Sequence, residues 1–394
     1  MLIKNIKQIK NLKDKRVLVR LDFNVPIKAG QVTDDFRIRK SLPTIEYLLK
    51  KGAKIILMSH LGRPKGKIMP EFRLTAPAKR LAELLNKEIK KISVSSGPTV
   101  VKEITKMKSS SILFLENIQF ESGETVNDDK LAQELASYCD YFVNDCFAQS
   151  HRAYASFCQI TKYAPSYAGL LMSEEISGLT KVLFEPKKPL VVILGGAKIE
   201  TKIPILRNLL LSADHILIGG GIVNTYLWAK GHQVGASLID KEFKKQALLY
   251  GAKNKVIKPI DVVVGRADGS KTRVVKIDKK NKLKLTGQEA IFDIGPDSIK
   301  LFSQYIKKAN TLIWNGAMGY FEQHPYEYGT YAVARLIASR AKGKAFGVSG
   351  GGETVEVLRK LKLLNEVDLV STGGGAMLEF LSGQKLPGVE ALKK

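Results

Sequence analysis

The stretch PLVVILGGAKIETKIP combines the pattern of a buried strand with two glycines and two lysines. Leu190–Leu194 is continuously apolar, as in a strand buried on both faces, and Gly195-Gly196 after it let the backbone approach a ligand closely. Lys198 and Lys202 are four residues apart, so a helix beginning at the glycines would carry both ammonium groups on one face above its N-terminus. That arrangement suits a phosphate. A solvated helix start with two surface lysines has the same pattern, so the rest of the chain has to decide.

Four further strand patterns in the second half also end in glycine. They run into Gly219-Gly220-Gly221, the segment NGAMGYFE, Gly350-Gly351-Gly352 and Gly373-Gly374-Gly375. Such runs at one sheet edge indicate bare backbone amides lining a nucleotide or phosphates. The sequence contains neither GxxxxGK[ST] nor GxGxxG, which disfavours a P-loop NTPase and a standard dinucleotide-binding fold. The HRD and DFG signatures of protein kinases are also absent.

The first half predicts strand, loop and helix units whose strands end in polar or basic loops. The strand patterns are VLVRLD, IILMS, ILFL and YFV, and a helix is predicted over 44–51. The side chains that follow the strands are Asp22, Asn24, Arg37, His60, Arg63 and Arg152. Ligands of open parallel sheets bind at the carboxyl ends of strands, so these groups are expected to converge on one anion. A single arginine is more often surface charge, but recurrence at one structural position favours binding.

Length and composition limit the class of protein. With 394 residues and 44% hydrophobic content, the chain can form two domains of roughly 150 to 200 residues each. No stretch approaches the ~20 apolar residues of a membrane span, and no signal-peptide core is present, so a cytoplasmic location is expected. The three cysteines have no CxxC spacing and are expected to be small buried residues.

The net charge of +25 suits anionic substrates, and it also raises nucleic acid or an anionic surface as a partner. The excess is spread along the chain without interleaved aromatic residues, which disfavours nucleic-acid binding. Residues 271–285 alternate apolar and basic side chains and predict a hairpin with one solvated face. Residues 169–183 have helical spacing near mid-chain and either join two halves or form one more packed helix.

Seven long motifs, in order along nearly the whole chain, resemble those of the phosphoglycerate kinase family. They are VLVRLDFNVP, HLGRPKG, NDCFAQSHRA, LGGAKIETKI, GGGIVNTYL, IWNGAMGYFE and STGGGAMLEFLSGQKLPGV. The resemblance implies an α/β fold of two doubly wound parallel-sheet (Rossmann-like) domains joined by a central hinge helix. On this chain the implied parts are a phosphoglycerate domain at 1–168 with a returning tail at 376–394, a hinge at 169–185 and a nucleotide domain at 186–375.

The same resemblance implies reversible, in-line phosphoryl transfer between 1,3-bisphosphoglycerate and MgADP in glycolysis, after hinge closure, by a monomer that uses Mg²⁺. The implied phosphoglycerate ligands are Asp22, Asn24, Arg37, His60, Arg63, Gln119 and Arg152. The implied catalytic cations are Arg37, Lys198 and Lys202. The implied nucleotide ligands are Lys198, Lys202, Gly219, Gly220, Asn315, Glu322 at the ribose, Gly350, Gly351, Gly352, Glu353 and Thr354. Backbone of Gly351 and Gly374 is implied at the transition state, and Glu353 at the metal through the nucleotide phosphates.

The sequence departs from the family pattern at several of these loops. Gln119 stands where members usually have an arginine that clamps the phosphoglycerate phosphate, so weaker binding of that substrate is expected. Glu353 replaces the usual aspartate, and its extra methylene is expected to affect metal preference rather than metal need. Ala317 replaces a frequent proline. These changes and the charge leave one alternative, a non-catalytic phosphate-ligand or nucleic-acid binding protein, against which the retained Arg37, Lys198 and Lys202 argue.

Overall fold

The computed structural model describes residues 3–278 and 282–393, and the chain divides into two compact units. Unit 1 comprises the residues up to Ile176 together with those from Lys385 onward, and unit 2 comprises Ser177–Gln384. Each unit contains a six-stranded parallel sheet. The expected α/β architecture of two parallel-sheet domains is therefore confirmed.

Unit 1 alternates strands and helices. Its strands are β1 (Arg16–Arg20), β2 (Ile27–Lys28), β3 (Gln31–Val32), β4 (Lys54–Met58), β5 (Lys90–Lys91), β6 (Ile112–Phe114), β7 (Tyr141–Asn144) and β8 (Ser166–Ala168). Its helices are α1 (Phe36–Lys50), α2 (Thr75–Leu85), α3 (Pro98–Thr105) and α4 (Asp129–Ser137), and α5 (Leu170–Phe184) continues into unit 2. The main sheet has the order β5-β6-β4-β1-β7-β8, and β2 and β3 form a separate hairpin.

The sequence of β1, RVLVR, shows how this sheet is buried. Val17 and Val19 belong to one hydrophobic cluster, whereas Leu18 belongs to another, because successive side chains of a strand point to opposite faces. Both faces are therefore covered, as expected of a parallel sheet. The chain runs from β1 outward through β4 in one direction and later through β7 in the other, so the strand order reverses beside β1. Ligand sites of such sheets lie outside the carboxyl ends of strands at this reversal.

Unit 2 repeats this plan with two smaller sheets added. Its strands are β9 (Leu190–Leu194), β10 (His215–Ile218), β11 (Gln233–Val234), β12 (Val256–Ile257), β13 (Asp261–Gly265), β14 (Arg273–Lys276), β15 (Lys284–Leu285), β16 (Ala290–Ile294), β17 (Thr311–Asn315), β18 (Phe346–Gly350) and β19 (Leu369–Ser371). Its helices are α6 (Ile203–Ser212), α7 (Gly220–Ala229), α8 (Lys244–Gly251), α9 (Pro296–Ile306), α10 (Tyr328–Arg340), α11 (Gly352–Lys360) and α12 (Gly375–Leu381); α13 (Pro387–Glu390) lies in unit 1.

The main sheet of unit 2 has the order β12-β10-β9-β17-β18-β19, and β14-β13-β16 form an antiparallel sheet. All five residues of β9 are buried, as its uninterrupted apolar sequence predicts. The five glycine-ended strands all belong to this main sheet. The strand order reverses between β9 and β17, where the amide of Gly195 donates to the carbonyl of Asn315 at 3.0 Å. The glycine runs therefore meet at the edge where a ligand is expected.

The structure corrects three local predictions. Arg37 lies in the first turn of α1, which begins at Phe36 rather than at residue 44. Helix α6 begins only at Ile203, with Pro204 in its first turn, so Lys198 and Lys202 precede the helix instead of sharing one of its faces. Proline is favoured in a first helical turn, whereas glycine is a poor helix former, which explains the later start.

The hairpin predicted over 271–285 is also wrong among the described residues. Strand β14 pairs with β13 and strand β15 pairs with β11, while residues 279–281 between them lie outside the described residues. Alternation predicts a strand but not its partner, which is the reason for the error. The three cysteines are free; Cys139 and Cys146 are buried and Cys158 is half-buried. Within the described residues, no helix is both long and apolar enough to cross a membrane.

Candidate active site

The first candidate site lies in unit 1 around Asp22, directly after β1. The Asp22 carboxylate is 4% exposed and accepts hydrogen bonds from Nη1 of Arg37 and, at 3.0 Å, from the backbone amide of Asn24. Burial would raise the pKa of this carboxyl, but Arg37 and His60 outweigh it and the pKa lies below its ordinary value. Asp22 is therefore ionised at neutral pH and holds Arg37 in place.

His60 follows β4 and faces the same carboxylate. It is 1% exposed, its Nδ1 lies 3.9 Å from Oδ1 of Asp22, and that nitrogen has no hydrogen-bond partner among the described residues. Burial lowers the pKa of His60 to about 3, although Asp22 opposes the change; the nearby Arg20, Arg37 and Arg152 lower it further. The imidazole is thus neutral at pH 7 and has hydrogen-bonding capacity to offer a ligand.

Two loops bring further cations to this cluster. The amide of Gly62 donates to Oδ1 of Asn24 at 2.9 Å, which ties the loop carrying Arg63 to the segment after β1. Arg152, after β7, donates to the hydroxyl of Tyr154 at 3.1 Å, and its buried Nε has no partner in the described part of the chain. Burial, Arg152 and Arg63 all lower the pKa of His151, so both guanidinium groups lie near that ring. This concentration of positive charge suits an anion.

Gln119 lies in the turn after β6 and is 5% exposed. Its carbonyl accepts a hydrogen bond of 3.1 Å from the amide of Gly66, at the end of the loop that carries Arg63. Its side-chain amide makes no hydrogen bond to the described residues. The structure therefore brings Gln119 to the loop of Arg63, with the hydrogen-bonding groups of its side chain still available.

Sequence reasoning missed Arg20, which is fully buried in β1. Its Nε donates to the Ser156 hydroxyl at 2.8 Å, and its Nη2 lies 3.7 Å from the equally buried Glu124. Burial raises the pKa of Glu124, although Arg20 opposes this. A buried charge is costly unless it is paired, so the contacts of Arg20 with Ser156 and Glu124 hold its side chain in place next to the Asp22 cluster. The signal was available, since Arg20 is a charged residue in the apolar pattern VLVRLD.

The second candidate site lies in unit 2 at the reversal between β9 and β17. Lys202 is 9% exposed, and its Nζ donates to Oδ1 of Asn315 at the end of β17. The Asn315 amide in turn donates to the carbonyl of Gly350 at 2.6 Å. Burial lowers the pKa of Lys202, while Glu353 opposes the change. A buried ammonium with one neutral partner is well placed for an anionic ligand.

Helix α11 supplies the next two predicted residues from its first turn. Oε2 of Glu353 accepts a hydrogen bond of 3.3 Å from the amide of Ala317. The Thr354 hydroxyl is fully buried and accepts from the amide of Gly316 at 2.8 Å. Gly351 before the helix has φ of +100°, a conformation that side chains rarely adopt. The turn therefore joins the ends of β17 and β18.

A cavity of about 430 Å³ opens beside these residues. Its lining comprises glycines, two carboxylates and a mostly apolar wall: Gly196, Ala197, Gly220, Gly221, Asn224, Ala236, Leu238, Ala290, Ile291, Phe292, Ala317, Gly319, Tyr320, Phe321, Glu322 and Glu353. A Cβ at Gly220 would lie 2.8 Å from the carbonyl oxygen of Gly196, so the close approach of these two backbone segments at the cavity depends on glycine. Volume and lining are those of a small-molecule site.

The predicted nucleotide residues differ in their relation to this cavity. Gly220, Glu322 and Glu353 line it, whereas Lys202, Asn315 and Thr354 are not among its lining residues and are held by the hydrogen bonds described above. Gly219 precedes α7 and packs against Met318. The remaining predicted residues are not part of the lining: Lys198, Gly350, Gly351, Gly352 and Gly374. Lys198 is exposed, and Gly374 precedes α12 with φ of +46°.

Comparison with known proteins decides the family. The model of the phosphoglycerate kinase family matches residues 6–384. The structure of phosphoglycerate kinase from Coxiella burnetii is 37% identical, with a TM-score of 0.86 over 100% of this chain and 99% of that one. Phosphoglycerate kinase from Pyrococcus horikoshii OT3 is 30% identical, with a TM-score of 0.85 over 99% of this chain and 98% of that one. The chain belongs to the phosphoglycerate kinase family.

The residues present fit the Mg²⁺ that phosphoglycerate kinases are expected to use with their nucleotide. In the part of the chain that the structure describes, no three His, Cys, Asp or Glu side chains are grouped to hold a metal ion by themselves. Glu353 nevertheless presents a carboxylate in the cavity beside Lys202. Kinase sites hold Mg²⁺ through one or two carboxylates together with substrate phosphates and water. The donor set here matches that arrangement.

Proposed function

We propose that this chain catalyses reversible phosphoryl transfer between 1,3-bisphosphoglycerate and MgADP, giving 3-phosphoglycerate and MgATP in glycolysis. The observation that supports it is the pairing of chemistries in one chain. Unit 1 holds a cluster of arginines around Asp22 and a neutral His60, and unit 2 holds a glycine-lined cavity beside the buried Lys202. A small acidic metabolite suits the first site and a nucleotide suits the second.

In unit 1, the proposed roles follow from where each charge stands. Arg37 is 31% exposed on its side chain and is held by Asp22, so it can reach the transferring phosphoryl group while staying oriented. Arg63 and Arg152 neutralise the remaining charge of the substrate, and His60 and Asn24 bind its neutral oxygens. Gln119 offers its amide as a donor. Because its pKa is about 3, His60 is neutral at pH 7, and substrate binding does not require its protonation.

In unit 2, Lys202 and Lys198 neutralise the nucleotide phosphates and the migrating phosphoryl group. Glu322 lies at the cavity wall, where its carboxylate accepts hydrogen bonds from the ribose. The amides of Gly219 and Gly220 already donate to the carbonyls of Leu194 and Met318, both at 2.9 Å, so these two glycines serve by letting the backbone approach the nucleotide closely. The amides of Gly350–Gly352, with Gly351 and Gly374 at the transition state, donate to phosphate oxygens, and Asn315 and Thr354 fix the loops that carry them. The attacking ADP oxygen is already ionised and the carboxylate is a good leaving group, so positioning and charge neutralisation suffice without a strong general base.

Glu353 is the proposed protein ligand for Mg²⁺, directly or through water. When bound with the nucleotide, the ion neutralises phosphate charge and orients the phosphates. The contribution of this chain is to hold the Glu353 carboxylate in the cavity through the amide of Ala317.

Transfer requires the two bound substrates to meet, and we propose that the chain moves about helix α5 to bring this about. Closure would also exclude water, which otherwise hydrolyses the acyl phosphate. Small-angle scattering tests this proposal: the radius of gyration should fall when 3-phosphoglycerate and MgATP are both present. An unchanged radius with both substrates bound would contradict it.

We further propose that the enzyme acts as a cytoplasmic monomer on small molecules, without a membrane or nucleic acid as partner. Spread of the basic residues along the whole chain supports this, because nucleic-acid binding proteins concentrate such charge on one face. A salt titration of RNA binding tests it, and tight binding at physiological ionic strength would contradict it.

The deciding experiment measures ATP consumption driven by 3-phosphoglycerate and Mg²⁺, with the product removed by a coupled dehydrogenase, at low and moderate salt. Robust turnover supports the kinase and makes Gln119 and Glu353 modifiers of its affinities. Absence of turnover together with tight binding of phosphate ligands or nucleic acid would instead support a non-catalytic binding protein.

A further inference from the structure

Three aromatic rings form a row that ends at the cavity of unit 2. Tyr326 is fully buried, and its hydroxyl donates to the carbonyl of Arg266 at 2.6 Å. Phe292 stacks on it, with ring centroids 4.5 Å apart and planes inclined by 21°. Tyr320 lies beyond Phe292 at 5.9 Å and 33°. The row is thus anchored in the core at one end and open at the other.

The open end is held by the backbone as well as by ring contacts. The amide of Tyr320 donates to the carbonyl of Phe292 at 2.7 Å, which joins the loop after β17 to strand β16. Gly319 precedes it, and a Cβ there would lie 2.3 Å from that same carbonyl oxygen. The close approach of loop and strand therefore requires glycine at 319 and fixes the backbone from which the Tyr320 ring extends.

Tyr320 is nevertheless 44% exposed, and Leu238, which also lines the cavity, is 56% exposed. Exposed large apolar groups on a cavity wall indicate a flat apolar ligand, because covering them removes their surface from water. Ala236, Ala290, Ile291 and Phe321 complete this apolar part of the lining. The two carboxylates of the lining, Glu322 and Glu353, cannot contribute to such contacts while ionised.

We infer that Tyr320 is the platform on which the nucleobase of the bound nucleotide stacks, with Phe292 and Tyr326 holding its ring in position. The inference rests on the proposed function, since it assigns a residue to the base of a nucleotide whose phosphates lie towards Lys202. Stacking depends on the area of the π-face and not on the hydrogen-bonding edge of the base. Tyr320 therefore favours purine over pyrimidine nucleotides.

The test is calorimetric titration of Tyr320→Ala and Tyr320→Phe with ADP, CDP and ribose 5-diphosphate, the last of which has no base. Base stacking on an aromatic ring corresponds to a loss of roughly 5- to 150-fold on alanine substitution. Tyr320→Ala should weaken ADP binding within this range, weaken CDP binding less and leave ribose 5-diphosphate unchanged. Tyr320→Phe keeps the ring and should bind ADP as the parent protein does.

Tyr328→Ala is the matched control, because Tyr328 is 57% exposed and is not part of the cavity lining. It should leave all three affinities unchanged. Equal losses for ADP and ribose 5-diphosphate in Tyr320→Ala would mean a general disturbance of the loop and would overturn the inference, as would unchanged ADP binding. Failure of the parent protein to bind ADP at all would refute the proposed function instead.

Discussion

Lys202 offers the sharpest test of how unit 2 acts on phosphate. It is a buried ammonium whose hydrogen bond in the structure goes to a neutral partner, Asn315. Lys202→Met keeps an unbranched side chain of similar length and removes the charge. If the ammonium stabilises charge on the migrating phosphoryl group, its loss should appear in turnover more than in substrate affinity.

The expected size of the loss in turnover follows from the burial of Lys202. A charge that is 9% exposed is screened little by solvent, so its contribution should resemble that of a preorganised oxyanion donor, about 3 to 4 kcal/mol. This corresponds to a loss of roughly 100- to 1000-fold in kcat. The same burial disfavours the charged form of Lys202, as its lowered pKa indicates, so the ammonium reduces the stability of the folded state. Replacing the desolvated charge by an apolar side chain removes this cost, but it leaves the buried Oδ1 of Asn315 without its donor, so stability should change little.

The assay combines coupled kinetics with thermal unfolding of the same preparations. Lys245→Met serves as control, because Lys245 is an exposed residue of α8 outside the cavity lining, and it should change neither kcat nor Tm. Lys202→Met with near-parent kcat would remove Lys202 from the proposed role. A fall in kcat accompanied by a large fall in Tm would instead refute the reasoning about its burial.

Three further outcomes are expected. Gln119→Arg should lower KM for 3-phosphoglycerate by roughly tenfold, as one charged hydrogen bond of about 1.5 kcal/mol allows, and an unchanged KM would contradict the assigned position. Glu353→Gln should reduce by roughly tenfold the gain in ADP affinity that Mg²⁺ brings in calorimetry, with metal-free ADP as control; an undiminished gain would exclude Glu353 as ligand. Burial raises the pKa of Asp293 to about 8 from 3.8, so the folded state retains a proton that the unfolded chain loses at lower pH. The contribution of Asp293 to the free energy of unfolding is complete below the unfolded pKa and is lost as the pH rises through about 8, with a slope of at most about 1.4 kcal/mol per pH unit. Urea unfolding at several pH values should therefore show a shallower loss of stability for Asp293→Asn than for the parent protein. Identical pH profiles for the two proteins would refute this.

The local pattern of apolar residues and glycines in the sequence was sufficient to predict the strands that carry the candidate sites. The apolar run of β9 and its terminal glycines predicted a strand buried on both faces, and the structure shows this. The alternation in VLVRLD likewise predicted β1. These predictions succeed because burial on one or two faces imposes a period that is visible in the sequence itself. The position of polar residues after such strands then follows from the chain order.

Local pattern was insufficient wherever a residue depends on a distant partner. The sequence predicted neither the pairing of β14 with β13 nor the start of α6 at Ile203. It also did not reveal that Arg20 is buried against Ser156 and Glu124, more than 100 positions away, or that Tyr320 continues a row of rings from Phe292 and Tyr326.

The difference between the features that the sequence predicted and those that it did not has a physical reason. Hydrophobic periodicity and the backbone freedom of glycine act within a few residues, so the sequence by itself determined the strands, their glycine ends and the polar loops of this protein. The lowered pKa values of His60 and Lys202 and the apolar wall beside Tyr320 depend on desolvation and on residues contributed by other strands and helices. These are sums over neighbours in space, and only the tertiary structure decided which neighbours those are.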